Sequence, residues 1–153
     1  MTNRHSGMDA DDPQTQWLTF TLGKETYGIE VLHVQEVFRC PEISPVPGAP
    51  ATVLGIINLR GEVITVNDIR AMLGLPEVAV TDQTRIVLLE FDGQKLGMLV
   101  DSVDEIMTNK TSEMETTVMS VQGNPFIQAT CQKKDKLYIL LSTHELLKDD
   151  EIS

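Results

Sequence analysis

The residues best suited to acid–base or nucleophilic chemistry are scattered along the chain. Asp68 and Asp101 are the candidates for a catalytic carboxylate pair, but Asp68 stands where a helix cap is expected and Asp101 follows a strand. Cys40 is a candidate nucleophile, yet Arg39 is its only basic neighbour in sequence that could lower the thiol pKa. The chain contains no glycine-rich phosphate loop and no HExxH or GxSxG motif. These residues therefore predict no enzyme active site.

Metal and redox chemistry have no better support. The histidines lie far apart, in the N-terminal segment, a strand turn and the last helix (His5, His33 and His144), and no His/Cys/acid cluster has metal-ligand spacing. Cys40 and Cys131 form no CxxC pair, so we expect reduced thiols, without a disulfide or a thiolate metal site. The sequence predicts no metal or other cofactor.

One cation is placed where a partner could reach it. The stretch GIINLRGEVITVNDIRAML, residues 55–73, predicts a strand, a tight turn, a returning strand and a short helix. Gly61 can take the positive φ that a two-residue or bulged hairpin turn requires, which places Arg60 at or beside the exposed tip. Asn67 or Asp68 is expected to cap the helix. An arginine on so short a hairpin is a candidate contact residue. The alternative is that it is simply a solvated turn residue at the protein surface.

Alternating apolar residues predict strands before this hairpin. A mobile polar tail is expected over residues 1–15, with ordered structure from Gln16. A first hairpin turns at Gly23-Lys24, and residues 34–38 continue extended. Residues 40–50, CPEISPVPGAP, carry four prolines, which predicts an ordered surface loop.

The second half of the chain predicts more strands and one more helix. In order, we expect a strand over residues 85–91, a turn at Asp92-Gly93, a strand over residues 95–100, an exposed polar loop over residues 108–123, a hairpin over residues 126–141 and a helix over residues 142–148.

An internal repeat connects the two halves. A shift of 69 residues aligns residues 20–38 with residues 89–107 without a gap, and it gives four identities: Gly28 with Gly97, Val31 with Val100, Val34 with Val103, and Glu36 with Glu105. The shared apolar pattern predicts two similar β subdomains, about residues 16–83 and 84–149, within a single all-β domain.

Composition narrows the classes of partner. The 23 acidic and 12 basic residues give a net charge of -11, which opposes binding to nucleic acid and to anionic membranes. No apolar run approaches the roughly 20 residues of a membrane helix, so we expect no direct membrane insertion. The first residues lack the apolar core of a signal peptide. The sequence therefore predicts a cytoplasmic protein.

Several motifs, in order and spacing, resemble the CheW family of chemotaxis coupling proteins: YGIEVLHVQEV, the proline-bearing loop, GIINLRGEVITVNDIR, RIVLLEF, GMLVDSVDEI and YILLSTHELL. The resemblance covers about residues 16–148. It implies two small five-stranded SH3-like β-barrels packed side by side, with short helices and without catalysis. It also implies an adaptor that links the cytoplasmic hairpin tips of methyl-accepting chemoreceptors to the regulatory domain of the histidine kinase CheA.

The resemblance also implies binding residues. The receptor contacts would be Val34 and Glu36 from the VQE motif and Arg60 from NLRG. The simpler alternatives are core packing for Val34 and a solvent-exposed strand position for Glu36. The kinase would bind hydrophobic ends of the barrels. Ile43 and Val46 of the proline loop are candidates there, because they have no obvious core to enter.

Two other functions remain open at this point. One is an adaptor of a parallel chemosensory pathway that controls surface motility or second-messenger output. The other is a small β-barrel ligand-binding module. In the adaptor reading, receptors would recruit the protein to the inner face of the membrane.

Overall fold

The computed structural model describes residues 12–115 and 124–150. Within these ranges the chain forms eleven strands: β1 (Gln14–Leu22), β2 (Glu25–Glu30), β3 (Val34–Arg39), β4 (Val53–Leu59), β5 (Glu62–Asn67), β6 (Arg85–Phe91), β7 (Gln94–Val100), β8 (Ser102–Lys110), β9 (Met114–Glu115), β10 (Ile127–Lys133) and β11 (Lys136–Leu141). The two described α-helices are α1 (Ile69–Leu73) and α2 (Thr143–Asp150). Neither has the length or the apolar character needed to cross a membrane.

The strands form two sheets with the same internal plan. The five-stranded sheet has the order β3-β6-β7-β5-β4, and the six-stranded sheet has the order β8-β1-β2-β11-β10-β9. In each sheet the third and fourth strands pair in parallel, and all the other neighbours are antiparallel. Among the described strands, the two-residue β9 is the only addition to the five strands expected in each barrel.

The repeated glycines occupy equivalent positions in this plan. Gly28 pairs with Leu140 in the parallel ladder of the six-stranded sheet, and Gly97 pairs with Val66 in that of the five-stranded sheet. A Cβ atom at Gly28 would lie 2.9 Å from Leu140 Cδ2, and one at Gly97 would lie 3.3 Å from the Thr65 carbonyl oxygen. Close approach of the two parallel strands therefore explains both glycines.

The repeated valines mark a second equivalence. Val34 pairs with Leu89 and Val103 pairs with Phe20, each immediately beside a register shift in its antiparallel ladder. Such a shift bends the strand and increases its twist. The prediction of two similar β subdomains is confirmed at the level of single residues.

The predicted boundary between the subdomains, at residues 83 and 84, is wrong. Strands β1 and β2 belong to the six-stranded sheet with β8 to β11, whereas β3 belongs to the five-stranded sheet. The strand that follows each of the hairpins β1–β2 and β6–β7 lies in the other sheet. The five-stranded sheet is thus formed by one continuous segment, residues 34–100, which is inserted between the two segments of the six-stranded sheet, so a single cut in the sequence cannot separate the sheets.

Two predicted irregular regions are also corrected. Strand β1 begins at Gln14, inside the predicted tail, and pairs there with Lys110, inside the predicted loop over residues 108–123. The buried Asn109 side chain accepts a hydrogen bond from Trp17 Nε1 at 3.0 Å, so a polar residue occupies an inward strand position. The rest of both predictions, at residues 1–11 and 116–123, lies outside the described residues.

The largest hydrophobic cluster is shared by both sheets. It includes Phe20 and Ile29 of the six-stranded sheet, Leu89 and Met98 of the five-stranded sheet, and Leu146 of α2, all with 0 % exposure. Because burial of apolar surface is the dominant favourable contribution to folding, this shared core should hold the two sheets together as one unit.

Candidate functional site

The β4–β5 hairpin has the predicted tight turn. Arg60 and Gly61 have φ values of 51° and 89°, the two positive angles of a type I′ turn. The Gly61 N–H donates to Asn58 Oδ1 at 2.9 Å, which closes the turn from inside. The Arg60 side chain is 68% exposed at the tip. The turn therefore fixes the backbone of Arg60 while its guanidinium faces solvent.

Arg60 and Glu36, both predicted receptor contacts, are brought together by the fold. The guanidinium donates to both carboxylate oxygens, with Nη2–Oε1 at 2.5 Å and Nη1–Oε2 at 3.2 Å. Glu36 lies on β3 and Arg60 follows β4, the two edge strands of the five-stranded sheet. The ion pair thus bridges the open edges of that sheet.

This pairing changes the acid–base behaviour of both groups. Hydrogen bonds from Arg60 hold the pKa of Glu36 below its ordinary value, and the same contact raises the pKa of Arg60 above its own. Both charges are therefore present at neutral pH. A guanidinium has five N–H donors, so Arg60 keeps donors for a partner while Glu36 fixes its orientation.

The third predicted receptor contact, Val34, is less available. It is half-buried and packs against the shared core. Leu32 lies two residues earlier in a short 3-10 turn, Val31–His33, and it is 86% exposed. Leu32 was not among the contact residues predicted from the sequence. Its only signal was an aliphatic residue out of phase with the alternation of the preceding strand.

Helix α1 is capped as the sequence suggested, and the structure selects between the two candidates. Asp68 Oδ1 accepts the Ala71 N–H at 3.2 Å, and Gly74 has the left-handed φ of 76° after the last turn. Asn67 is fully buried instead, and its side-chain amide has no hydrogen-bond partner among the described residues.

The candidate carboxylate pair Asp68 and Asp101 has structural roles. Asp101 Oδ2 accepts the backbone N–H of Gly23 at 2.8 Å and forms an ion pair with the buried Arg70 of α1. Asp101 therefore ties the β1–β2 turn to α1. Sequence reasoning missed Arg70, because nothing local distinguishes a buried arginine from a solvated one on a short helix.

The two predicted kinase contacts, Ile43 and Val46, differ in environment. Ile43 is half-buried against the smaller core of the five-stranded sheet, so the expectation that it has no core to enter is wrong. Adjacent Ser44 exchanges two backbone hydrogen bonds with Ile56 of β4, at 2.9 and 2.8 Å. This bridge pins the proline loop to the sheet and turns Ile43 inward.

Val46 remains at the surface. It is 40% exposed and lines an open groove of about 510 Å³ together with Pro47, Pro50, Val53 and Ile56. The groove is apolar and lies on the outer side of the β4–β5 hairpin. It is therefore a surface on which another apolar face can pack.

The remaining candidates for chemistry are the cysteines and the histidines. Cys40 and Cys131 are free thiols, and burial raises the pKa of Cys40, which disfavours its reactive thiolate. His33 Nδ1 lies 2.9 Å from Thr143 Oγ1, and its ring contacts Phe91 edge-on. His5 lies outside the described residues.

Comparison with known proteins agrees with this geometry. The CheW-like domain family matches residues 16–151. The chemotaxis protein CheW of Treponema pallidum is 28% identical over 156 aligned positions, which cover 98% of this chain and 92% of that protein. The chemotaxis protein CheW of Bacillus subtilis is 30% identical over 132 positions, covering 85% of each.

A solved structure has the same fold. The crystal structure of the scaffolding protein TtCheW from Thermoanaerobacter tengcongensis superposes with a TM-score of 0.80 at 30% sequence identity, and the match covers 88% of each chain. This similarity confirms the predicted all-β fold with two barrel-like subdomains and few short helices.

Proposed function

Because the chain belongs to the CheW family of chemotaxis scaffold proteins, we propose that its surface is divided between a receptor face at the β4–β5 turn and a kinase face at the proline loop. The protein is a non-catalytic adaptor that couples chemoreceptors to the histidine kinase CheA. A parallel-pathway adaptor and a ligand-binding module are not favoured, since the Treponema pallidum and Bacillus subtilis relatives are both chemotaxis proteins CheW.

The receptor face consists of Arg60, Glu36 and Leu32. The observation that carries it is the two-point ion pair on a type I′ turn, in which Arg60 is oriented yet exposed. Leu32 supplies apolar area that the half-buried Val34 does not offer. Binding energy at interfaces is concentrated in a few such residues, and Arg is enriched among them. The expected occupant is the cytoplasmic hairpin tip of a methyl-accepting receptor.

The apolar part of this face can be tested separately. Leu32→Asp should weaken binding of a receptor hairpin fragment about tenfold, because burial of a leucine side chain contributes on the order of 1.5–3 kcal/mol. Leu137→Asp is the control, since Leu137 is also exposed but belongs to β11. Isothermal titration calorimetry measures both. Equal losses in the two variants, or no loss in Leu32→Asp, would remove Leu32 from the face.

The kinase face is the groove lined by Val46. Its support is an exposed aliphatic side chain among prolines on a loop that the Ser44–Ile56 bridge holds still. Preorganisation of this kind reduces the ordering cost of binding. Ile43 is not part of the proposal, because it packs inward.

We extend the proposal to location. Receptors span the membrane and the adaptor holds their cytoplasmic tips, so the protein would be cytoplasmic and recruited to the inner face of the membrane. A fluorescent fusion should be localised at the membrane in cells with receptors and diffuse in cells without them.

A further inference from the structure

A second groove lies beside α1, away from the turn that carries Arg60. Its volume is about 350 Å³. Ile43, Leu54 and Leu99 form its apolar inner wall, and the irregular segment before β6 forms the outer wall with Val78 and Val80. These two valines are 56% and 60% exposed. Neither proposed face uses this groove.

The charges around the groove are predominantly negative. Among the described residues that line it, Asp68, Glu77 and Asp101 are acidic and Arg70 is the one cation. That cation is not available, because Arg70 forms an ion pair with Asp101 and donates from Nη1 to the Pro76 carbonyl oxygen at 2.8 Å. The same ion pair neutralises Asp101 and Asp68 caps α1, so Glu77 is the acidic group on the rim of this apolar groove that is left for a partner.

The outer wall also offers its backbone. Among the described residues, none hydrogen-bonds to the backbone N–H or C=O groups of residues 77–80. Val78 and Val80, separated by Ala79, have the alternation of a strand edge, and β-branched residues favour an extended backbone. Unpaired strand-like backbone is a template on which an extended segment can add.

We propose that this groove binds an extended segment of a partner protein in which aliphatic side chains are flanked by lysine or arginine. The aliphatic side chains enter between Leu54 and Val78, and the backbone pairs with residues 77–80. The cation meets Glu77, whose carboxylate is exposed and has no partner among the described residues. Charge complementarity selects a basic segment over an acidic one. The groove is distinct from the receptor face and from the groove lined by Val46, and the proline loop borders both grooves.

Two matched peptides test the chemistry directly. The ¹⁵N-labelled full-length protein is titrated with capped KVLVK and, separately, with capped EVLVE. The KVLVK peptide should shift the amide signals of residues 77–80 and of Leu54 and Leu99 in a saturable way. The EVLVE peptide should bind at least about tenfold more weakly, and added salt should weaken KVLVK binding.

Variants then assign the contacts. Val78→Asp should weaken KVLVK binding about tenfold and Glu77→Lys about fivefold, the effects expected for a buried valine and a rim charge. Val63→Asp is the control, because Val63 is a similarly exposed valine on β5 outside the groove. All these positions are exposed, and unchanged thermal unfolding would establish that each variant folds.

Three results would overturn the proposal. The first is equal binding of KVLVK and EVLVE, or no shift at residues 77–80 up to millimolar peptide. The second is a loss in Val63→Asp as large as that in Val78→Asp. The third is a shift of these signals with protein concentration alone, which would identify a second copy of the chain as the occupant.

Discussion

Arg60 has a structural role in the fold and, in the proposal above, a binding role as well. Its ion pair with Glu36 joins the two edges of the five-stranded sheet, yet the guanidinium remains accessible to a partner. Exposed ion pairs contribute little to stability because water and salt screen them. Substitution of Arg60 is therefore expected to affect binding far more than folding.

The ion pair makes a prediction about pH. The folded-state pKa of Glu36 is depressed below its ordinary value of 4.5, so the pair is present above the unfolded-state pKa and is lost as pH falls through the folded-state pKa. An NMR titration of the Glu36 carboxyl should give a midpoint below 4.5 in the wild type. Arg60→Gln should raise that midpoint, because it removes the hydrogen bonds to the carboxylate.

Arg39→Gln is the control, because Arg39 is an exposed arginine at the end of β3 that takes no part in the ion pair. The Glu36 midpoint should stay low in this variant. An equal rise in Arg60→Gln and Arg39→Gln would mean that general positive charge, and not the ion pair, lowers the Glu36 pKa.

At this scale the sequence predicted some roles and not others. Gly61 predicted the exposed tip for Arg60, since the geometry of a two-residue turn is local. The partnership with Glu36 was not predictable, because it depends on how the edges β3 and β4 approach in three dimensions. Ile43 was misjudged for the same reason: its core is supplied by strands distant in sequence.

Among the elements, the proline loop depends on one glycine. A Cβ atom at Gly55 would lie 2.3 Å from the Ser44 carbonyl oxygen, a backbone atom of the bridge to Ile56. We expect Gly55→Ala to break this bridge and to lower the free energy of unfolding by more than about 2 kcal/mol. Kinase binding should weaken as well, because the loop that carries Val46 loses its anchor.

Gly48→Ala in the same loop is the control for this prediction. Gly48 has a φ of 82° but nothing lies within 4 Å of its Cβ position, so only backbone strain of about 1 kcal/mol is expected. Urea denaturation measures both variants. Similar losses in the two would show that steric contact with Ser44 does not matter.

The local elements were predicted well where turn chemistry is strong. Positive φ values at Arg60, Asp92 and Lys134 occur in the predicted hairpin turns. The polar end of β8, residues 108–110, was not predicted. Its inward-facing residue is Asn109, which accepts a hydrogen bond from Trp17, whereas the alternation pattern requires an apolar side chain there. Alternation of hydrophobicity cannot reveal such a strand.

In the whole molecule, each sheet contains strands from both halves of the chain. Strand β3 follows β2 in the chain but lies in the five-stranded sheet, and β8 follows β7 but lies in the six-stranded sheet. The sequence repeat predicted two similar subdomains, but it did not predict that each sheet combines strands from both copies of the repeat. A repeat shows that two segments are similar and does not show which strands pair with each other.

The shared core predicts cooperative unfolding. Neither sheet can unfold without exposing the apolar side chains that the other sheet contributes to the shared core. Trp17, the single tryptophan, is buried in the six-stranded sheet, so its fluorescence reports on that sheet. Its urea transition should coincide with that of far-UV circular dichroism, which reports on both sheets. Two separate midpoints would contradict one cooperative unit.

The division of the surface is the central claim, and paired titrations test it most directly. Wild type, Arg60→Asp and Val46→Asp would each be titrated with a receptor hairpin fragment and with the CheA regulatory domain. We predict that wild type binds both, that Arg60→Asp loses only the receptor, and that Val46→Asp loses only the kinase, each loss being at least about tenfold. Loss of both partners in either folded variant, or of neither, would contradict the division, and failure of wild type to bind would contradict the adaptor function.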